Sequence, residues 1–216
     1  MYISTRGGKD VVSAAGAIKQ GLASDGGLFM PETIPSLDKC EIEELIALPY
    51  AERAAKVLAK FLTDYTYEEL LADTESAYCE ASFGAHPAPV TKIDDQTYML
   101  ELWHGPTCAF KDMALQIMPR LFTRALKKCG EERCALILVA TSGDTGKAAM
   151  AGFADVPGTR IIVFYPKDGV SRIQERQMTT QSGKNVYVSS VVGNFDDVQS
   201  AMKEIFSDEE IRAKAS

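Results

Sequence analysis

Lys111 stands between a Gly105-Pro106 turn and the start of a predicted helix, in the segment that runs from His104 to Asp112. A lysine acts as a nucleophile only while its amine is neutral, and burial or a nearby cation lowers its pKa enough to allow that. Ala109, Phe110 and Met113 offer apolar surface around it, and Asp112 is placed to orient or neutralise neighbouring groups. A solvated lysine in a first helical turn is the commoner meaning of Phe-Lys-Asp, so residue chemistry alone leaves both meanings open. A second candidate lies further on, in Thr141, Ser142, Gly143, Asp144, Thr145, Gly146 and Lys147. This loop joins an apolar run to an alanine-rich segment, so amides at a helix N-terminus would face it. Its hydroxyls and two glycines permit close approach of a phosphate or carboxylate, although a plain capped turn has the same composition. A Walker-type phosphate loop is excluded, because Thr141 stands where glycine is needed and Ala148 where serine or threonine is needed.

Weaker candidates surround these two. His104 could serve as a general acid or base, yet a turn histidine with satisfied hydrogen bonds is the more frequent case. Trp103 is expected in a core or interface, and Cys108 is expected to pack. Ser171 and Arg172 follow an apolar run and are candidates for the same ligand edge, with surface charge as the default. Gly193 to Asp197 is most simply a turn that leads into a capped helix.

The elements that must carry these residues change character along the chain. The first third reads as helical: residues 11–22, then 41–62 broken at Pro49, then 67–83 with Thr66 as N-cap. The turn-rich stretch 84–89 is the expected boundary between a mainly helical domain, 1–88, and an α/β domain, 89–216. Beyond it, 97–102 alternates like a strand. Residues 112–128 carry a helical apolar stripe, with a bend expected at Pro119. The runs 135–140 and 160–165 are continuous and apolar, as in strands buried on both faces. Helices are expected at 146–154, 171–181 and 196–206, and a strand at 185–191. Strand and helix alternating in this way predict an α/β fold with a parallel sheet and helical crossovers.

A chain of 216 residues is long enough for a sizeable core. Its net charge of −7 argues against a nucleic-acid surface, without excluding a locally positive site for a small anion. The opening residues lack the apolar core of a signal peptide, and no run reaches membrane-spanning length. Five scattered cysteines with no C-x-x-C pair point to reduced thiols in a cytoplasmic protein rather than disulfides or zinc. With two histidines, a His-rich metal centre is not expected.

Taken together, these segments resemble threonine synthase, a pyridoxal-phosphate enzyme family of the tryptophan-synthase-β type, or fold type II. The matching pieces are Ser4-Thr5-Arg6, Gln20 to Ala23 with Asp25 to Phe29, and Glu101 through Asp112. They continue in Ala140 to Gly146, Tyr165-Pro166, Gln174 to Met178 and Gly193 to Asp197. The resemblance covers essentially the whole chain. It implies that Lys111 carries pyridoxal 5′-phosphate through its amine, with Phe110 and Asp144 beside the cofactor. It also implies that Thr141, Ser142, Gly143, Asp144 and Thr145 hold the substrate carboxylate, with Lys147, Ser171 and Arg172 as further anion contacts. The implied reaction converts O-phospho-L-homoserine and water to L-threonine and phosphate, with neither a nucleic-acid nor a membrane partner. Homodimerisation is left open. The family has a longer chain whose cofactor-phosphate cradle and pyridine-nitrogen partner lie in its second half. Gly193-Asn194-Phe195 differs from that cradle at Asp196. This chain is therefore expected to be an amino-terminal portion, weakly active or inactive. Alternatives are another fold type II lyase, such as a serine/threonine dehydratase, or a non-catalytic metabolite-binding protein.

Overall fold

Residues 1–207 are described by the structure, a computed structural model; the stretch from Asp208 onward lies outside the described residues. The chain forms two compact units, Met1–Pro87 with Arg120–Glu131, and Ala88–Pro119 with the chain from Glu132 onward.

In the first unit, β1 (Tyr2–Ser4) is the centre of a three-stranded antiparallel sheet, flanked by β2 (Val11–Val12) and β3 (Phe29–Pro31). Two of these strands were not legible, being three residues long. Ser4, 5% exposed, donates its hydroxyl to Asp25 at 2.6 Å. Asp25 also accepts the amides of Gly8 and Gly27, each at 2.9 Å. A side chain at residue 27 would meet Ser4 Oγ at 2.1 Å, so glycine is required for this turn to close. The Ser4 and Asp25-to-Gly27 motifs are thus a structural staple.

The helix expected over 11–22 starts later. Val11 and Val12, β-branched and suited to a strand, pair with β1, and Ser13 caps α1 (Ala14–Gln20) by accepting the Gly16 amide. Pro49 separates α2 (Lys39–Ala47) from α3 (Tyr50–Phe61), as expected. Thr66 caps α4 (Tyr67–Ala77) in a reciprocal box with Glu69. The helix predicted over 67–83 breaks after Ala77, and α5 (Glu80–Phe83) follows. Tyr78 sits at the break, with its ring edge-on to Tyr50 at 5.0 Å and tilted against Phe83 at 5.6 Å. Leu70, Ala55, Ala77 and Phe83 form the buried interior. The carboxyl part of α7 (Met118–Lys128) joins this unit, where Arg124 grips Asp73 through two 2.7 Å hydrogen bonds.

The second unit begins with a hairpin of β4 (Val90–Lys92) and β5 (Tyr98–Leu100), turned by Asp94, which accepts the amides of Gln96 and Thr97. Its main sheet is parallel, in the order β6 (Ala135–Ala140), β7 (Thr159–Pro166), β8 (Val186–Val191). The crossovers are α8 (Asp144–Phe153) and α9 (Arg172–Thr179), and α10 (Phe195–Ser207) packs on β6 and β7. The α/β fold with a parallel sheet and helical crossovers is as expected. Of the two strands expected to be buried on both faces, only β7 is central, with Ile161 and Val163 fully buried. β6 lies at the edge of the sheet and is half-buried throughout. Among the described residues no helix is long and apolar enough to cross a membrane.

Candidate functional site

The lysine turn is organised by the residue after it. Asp112 is fully buried, and its carboxylate accepts both the amide and the hydroxyl of Thr107 at 2.8 Å. Gly105 lies so close that a side chain there would meet Asp112 Cβ at 2.4 Å. The turn therefore folds around Asp112, and Cys108, the residue after Thr107, adopts a left-handed φ of 58°. Cys108 is exposed, against the expectation that it packs. Because Thr107 takes both oxygens of Asp112, this carboxylate is held within the turn. Lys111 sits at the entrance of α6 (Asp112–Leu115), half-buried, with Nζ 4.5 Å from the centre of the Phe110 ring. The ring itself is 60% exposed, so the amine rests on an aromatic face that is open to a ligand.

Upstream, His104 Nε2 is 2.7 Å from Glu101 Oε2 and its ring stacks on Trp103. The Thr91 hydroxyl and then His104 hold the Glu101 carboxyl below its ordinary range. Trp103, expected in a core or interface, is 47% exposed. The bend expected at Pro119 falls earlier: α6 ends at Leu115, and Pro119 occupies the first turn of α7, where its missing N–H costs nothing.

The second candidate loop follows the carboxyl end of β6. Thr141 is buried, and its hydroxyl oxygen accepts the amides of Gly143 at 3.0 Å and Gly146 at 2.9 Å while donating to the Gly143 carbonyl. Gly143 has φ of 153°, a backbone region that favours glycine. α8 then starts at Asp144, two residues earlier than expected, which puts the amides of Asp144 and Thr145 in its first turn. First-turn amides have no intrahelical acceptor and lie at the positive end of the helix dipole. Ser142 and Asp144 are exposed and Thr145 is half-buried, so the rim of this helix end is polar and reachable.

Gln174 joins this loop to the start of α9. Its Nε2 donates to Asp144 Oδ1 at 2.9 Å, and its Oε1 accepts the Ser171 hydroxyl at 2.9 Å and the Ser171 amide at 3.2 Å. Ser171 in turn caps α9 by accepting the Gln174 amide. Ser171 and Asp144 are thereby brought together; Arg172, next to the cap, is exposed. The Lys147 amine binds the Gln181 side-chain carbonyl. Burial pulls its pKa down, and the charge of Asp112 works against that fall. Gln174, which lies in the helix expected over 171–181 and in the resembling stretch Gln174 to Met178, was not among the candidate site residues. The signal was its place three residues after Ser171, the spacing of a capping box.

The two candidates belong to neighbouring helices of one unit. α6 packs on α8 so tightly that a side chain at Gly152 would meet the Leu115 carbonyl at 2.0 Å. A lysine amine and a helix end suited to an anion are thus carried by two helices in contact. A cavity of about 410 Å³ touches Asp155 to Thr159 and Asn185, at the amino ends of β7 and β8. It lies at the end of the sheet away from the loop at 141–147, whereas open α/β sheets bind ligands at the carboxyl ends of their strands. Lys111 and the loop at 141–147, by contrast, lie in the unit and at the strand end where such ligands bind. Asn194, as expected, caps α10 through the amides of Asp196 and Asp197.

Fold and site combine an α/β architecture with a lysine turn and a polar helix end at Asp144. Residues 1–78 match the family model described as "Threonine synthase N terminus". A threonine synthase of Pseudomonas aeruginosa is 39% identical over 96% of this chain and 44% of its own length. The crystal structure of a pyridoxal-phosphate-bound threonine synthase from Brucella melitensis superposes with a TM-score of 0.89 at 38% identity, over 97% of this chain and 45% of that one. A yeast threonine synthase gives 0.88 at 35% identity, over 97% and 44%. In sequence and fold the chain is related to the threonine synthases and matches their amino-terminal portion. It spans less than half the length of these relatives.

Proposed function

We propose that the chain carries the cofactor-anchoring lysine and the substrate-carboxylate loop of a threonine synthase, which converts O-phospho-L-homoserine and water to L-threonine and phosphate. The observation that carries this is the pairing of Lys111 on α6 with the helix end at 141–145 on the adjoining α8. The residues fit pyridoxal 5′-phosphate: Lys111 offers a primary amine on the open face of Phe110, and the neighbouring Asp112 carboxylate is already taken by Thr107. When bound, that cofactor supplies the electron sink for carbanions next to the substrate nitrogen.

The chain's own residues do the rest. Lys111 would anchor the cofactor, and its amine would take the proton from the substrate Cα and serve proton transfer at Cβ. Thr141 fixes the loop so that the first-turn amides of α8 point at the substrate carboxylate, where the helix dipole favours negative charge. Ser142 and Thr145 add hydroxyl donors at the same rim, with Asp144 beside the cofactor. Lys147, Ser171 and Arg172 supply further positive or polar contacts for the anionic substrate. The expected division into 1–88 and 89–216 is kept at its boundary, except that 120–131 joins the first unit; the proposed site lies in the unit that begins at Ala88. The five unpaired cysteines support a cytoplasmic setting, and the acidic surface supports a small molecule rather than nucleic acid as partner.

The test is cofactor attachment. Incubation with pyridoxal phosphate, borohydride reduction and peptide mass spectrometry should place the adduct on Lys111, with loss of the adduct in Lys111→Ala. Attachment spread over surface lysines, unchanged in that variant, would overturn the assignment.

A further inference from the structure

We propose that Gln174 is a positioning residue of this site: it holds the Asp144 carboxylate aside from the first-turn amides of α8 and so keeps them open to an anionic ligand. The inference rests on the functional proposal above, and deepens it.

Asp144 is the first residue of α8. A carboxylate at that place is drawn to the positive end of its own helix, where it competes with any external anion. One of its oxygens is instead engaged by Gln174 Nε2 at 2.9 Å. The orientation of the Gln174 amide is settled by its other side. Ser171 presents two donors, its amide and its hydroxyl, so the oxygen must face Ser171 and the nitrogen must face Asp144. The amide also lies flat against the loop backbone, since a side chain at residue 143 would come within 2.4 Å of Gln174 Nε2. Gly143 is therefore required for this approach. The bridge joins residues thirty apart in the chain and links two helix starts, one bearing the proposed carboxylate loop and the other Ser171 and Arg172. Its strength comes from the charged acceptor, and such hydrogen bonds are stronger than neutral ones.

The informative variant is Gln174→Glu, which keeps shape and the Ser171 contacts but turns a second carboxylate oxygen toward Asp144. Repulsion then drives Asp144 off the bridge and toward the helix end. Affinity for O-phospho-L-homoserine, measured by calorimetry on the full chain, should fall about ten- to hundredfold near neutral pH. The deficit relative to wild type should shrink as pH falls and the introduced carboxyl takes up a proton, becoming a donor to Asp144. A helix-capping role alone would change thermal stability but give no such recovery. Gln174→Met, which removes the bridge without adding charge, should weaken binding at every pH and show no recovery. Unchanged affinity in both variants, with wild type binding, sinks the inference alone. Failure of the wild-type chain to bind the phosphorylated amino acid removes the functional proposal and this inference with it.

Discussion

Asp112 shows how one side chain can serve a neighbour's chemistry without touching a ligand. It is fully buried beside Lys111, yet its oxygens go to Thr107, and the turn that presents the lysine closes around it. Replacing it with alanine leaves the buried Thr107 amide and hydroxyl without their acceptor, and frees Gly105 and Cys108 from the geometry they now hold. Asp112→Ala should lower unfolding free energy by about 2–3 kcal/mol, measured by urea denaturation. Thr107→Val, which keeps the amide bond to Asp112 and loses one hydroxyl, should lower it by about 1 kcal/mol. Equal effects would mean that the carboxylate does not organise the turn. The opposite case is Lys147, another lysine in the same unit, whose burial lowers its pKa while Asp112 resists. Its amine is already held by Gln181, so the lowered pKa by itself does not mark a second reactive lysine.

Helix packing decides whether the lysine and the anion loop share one site. A tight contact is at Gly152, whose absent side chain makes room for the Leu115 carbonyl. Gly152→Ala forces α6 and α8 apart. The expected cost is about 1–3 kcal/mol, with a lower yield of the reduced cofactor adduct on Lys111 at a pyridoxal phosphate concentration that saturates wild type. Normal adduct yield together with normal stability would show that the contact is not strict. Elements of this kind were legible where they were long and marked at their ends. Thr66 announced α4, Pro49 divided α2 from α3, and the run 135–140 announced β6. Three kinds of feature stayed hidden. β1 and β3 are too short for a period to show. Val11 and Val12 fit a helical pattern until pairing with β1 claimed them. Whether an apolar strand is central or at an edge depends on the order of the sheet, so β6 and β7 read alike yet differ in burial. Within the site, Lys111 and the loop at 141–147 stood out by residue type and spacing. Gln174 did not, because its partner Asp144 is brought to it only by the return of the chain through β7.

At the scale of the whole molecule, the acidic composition is turned to structural use. Among the described residues six carboxyls are held below their ordinary range by local donors: Asp10 by Ser24, Asp25 by Ser4, Glu41 by Lys60, Glu69 by Lys128, Asp94 by the Gln96 amide and Glu101 by Thr91. Each donor favours the charged form of the folded state, so the unfolded chain binds more protons in the acid range. Their stabilisation is complete above the ordinary values of 3.8 for aspartate and 4.5 for glutamate, and is lost as pH falls through the lower folded values. Protonation also moves the net charge away from −7 toward positive, where repulsion among lysines and arginines adds to the loss. The urea midpoint should therefore stay nearly level from about pH 7 to about pH 5 and decline steadily below about pH 4.5. Asp25→Asn isolates one contributor. It disturbs the acceptor of the Ser4 hydroxyl and the Gly8 and Gly27 amides, so it should lower the midpoint at neutral pH and make less difference near pH 3, below the ordinary aspartate value of 3.8, where the unfolded wild-type chain has already taken up the proton. A wild-type midpoint that holds steady down to about pH 3, or a deficit in Asp25→Asn that is the same at both ends of the range, would contradict the assignment of acid sensitivity to these paired carboxyls.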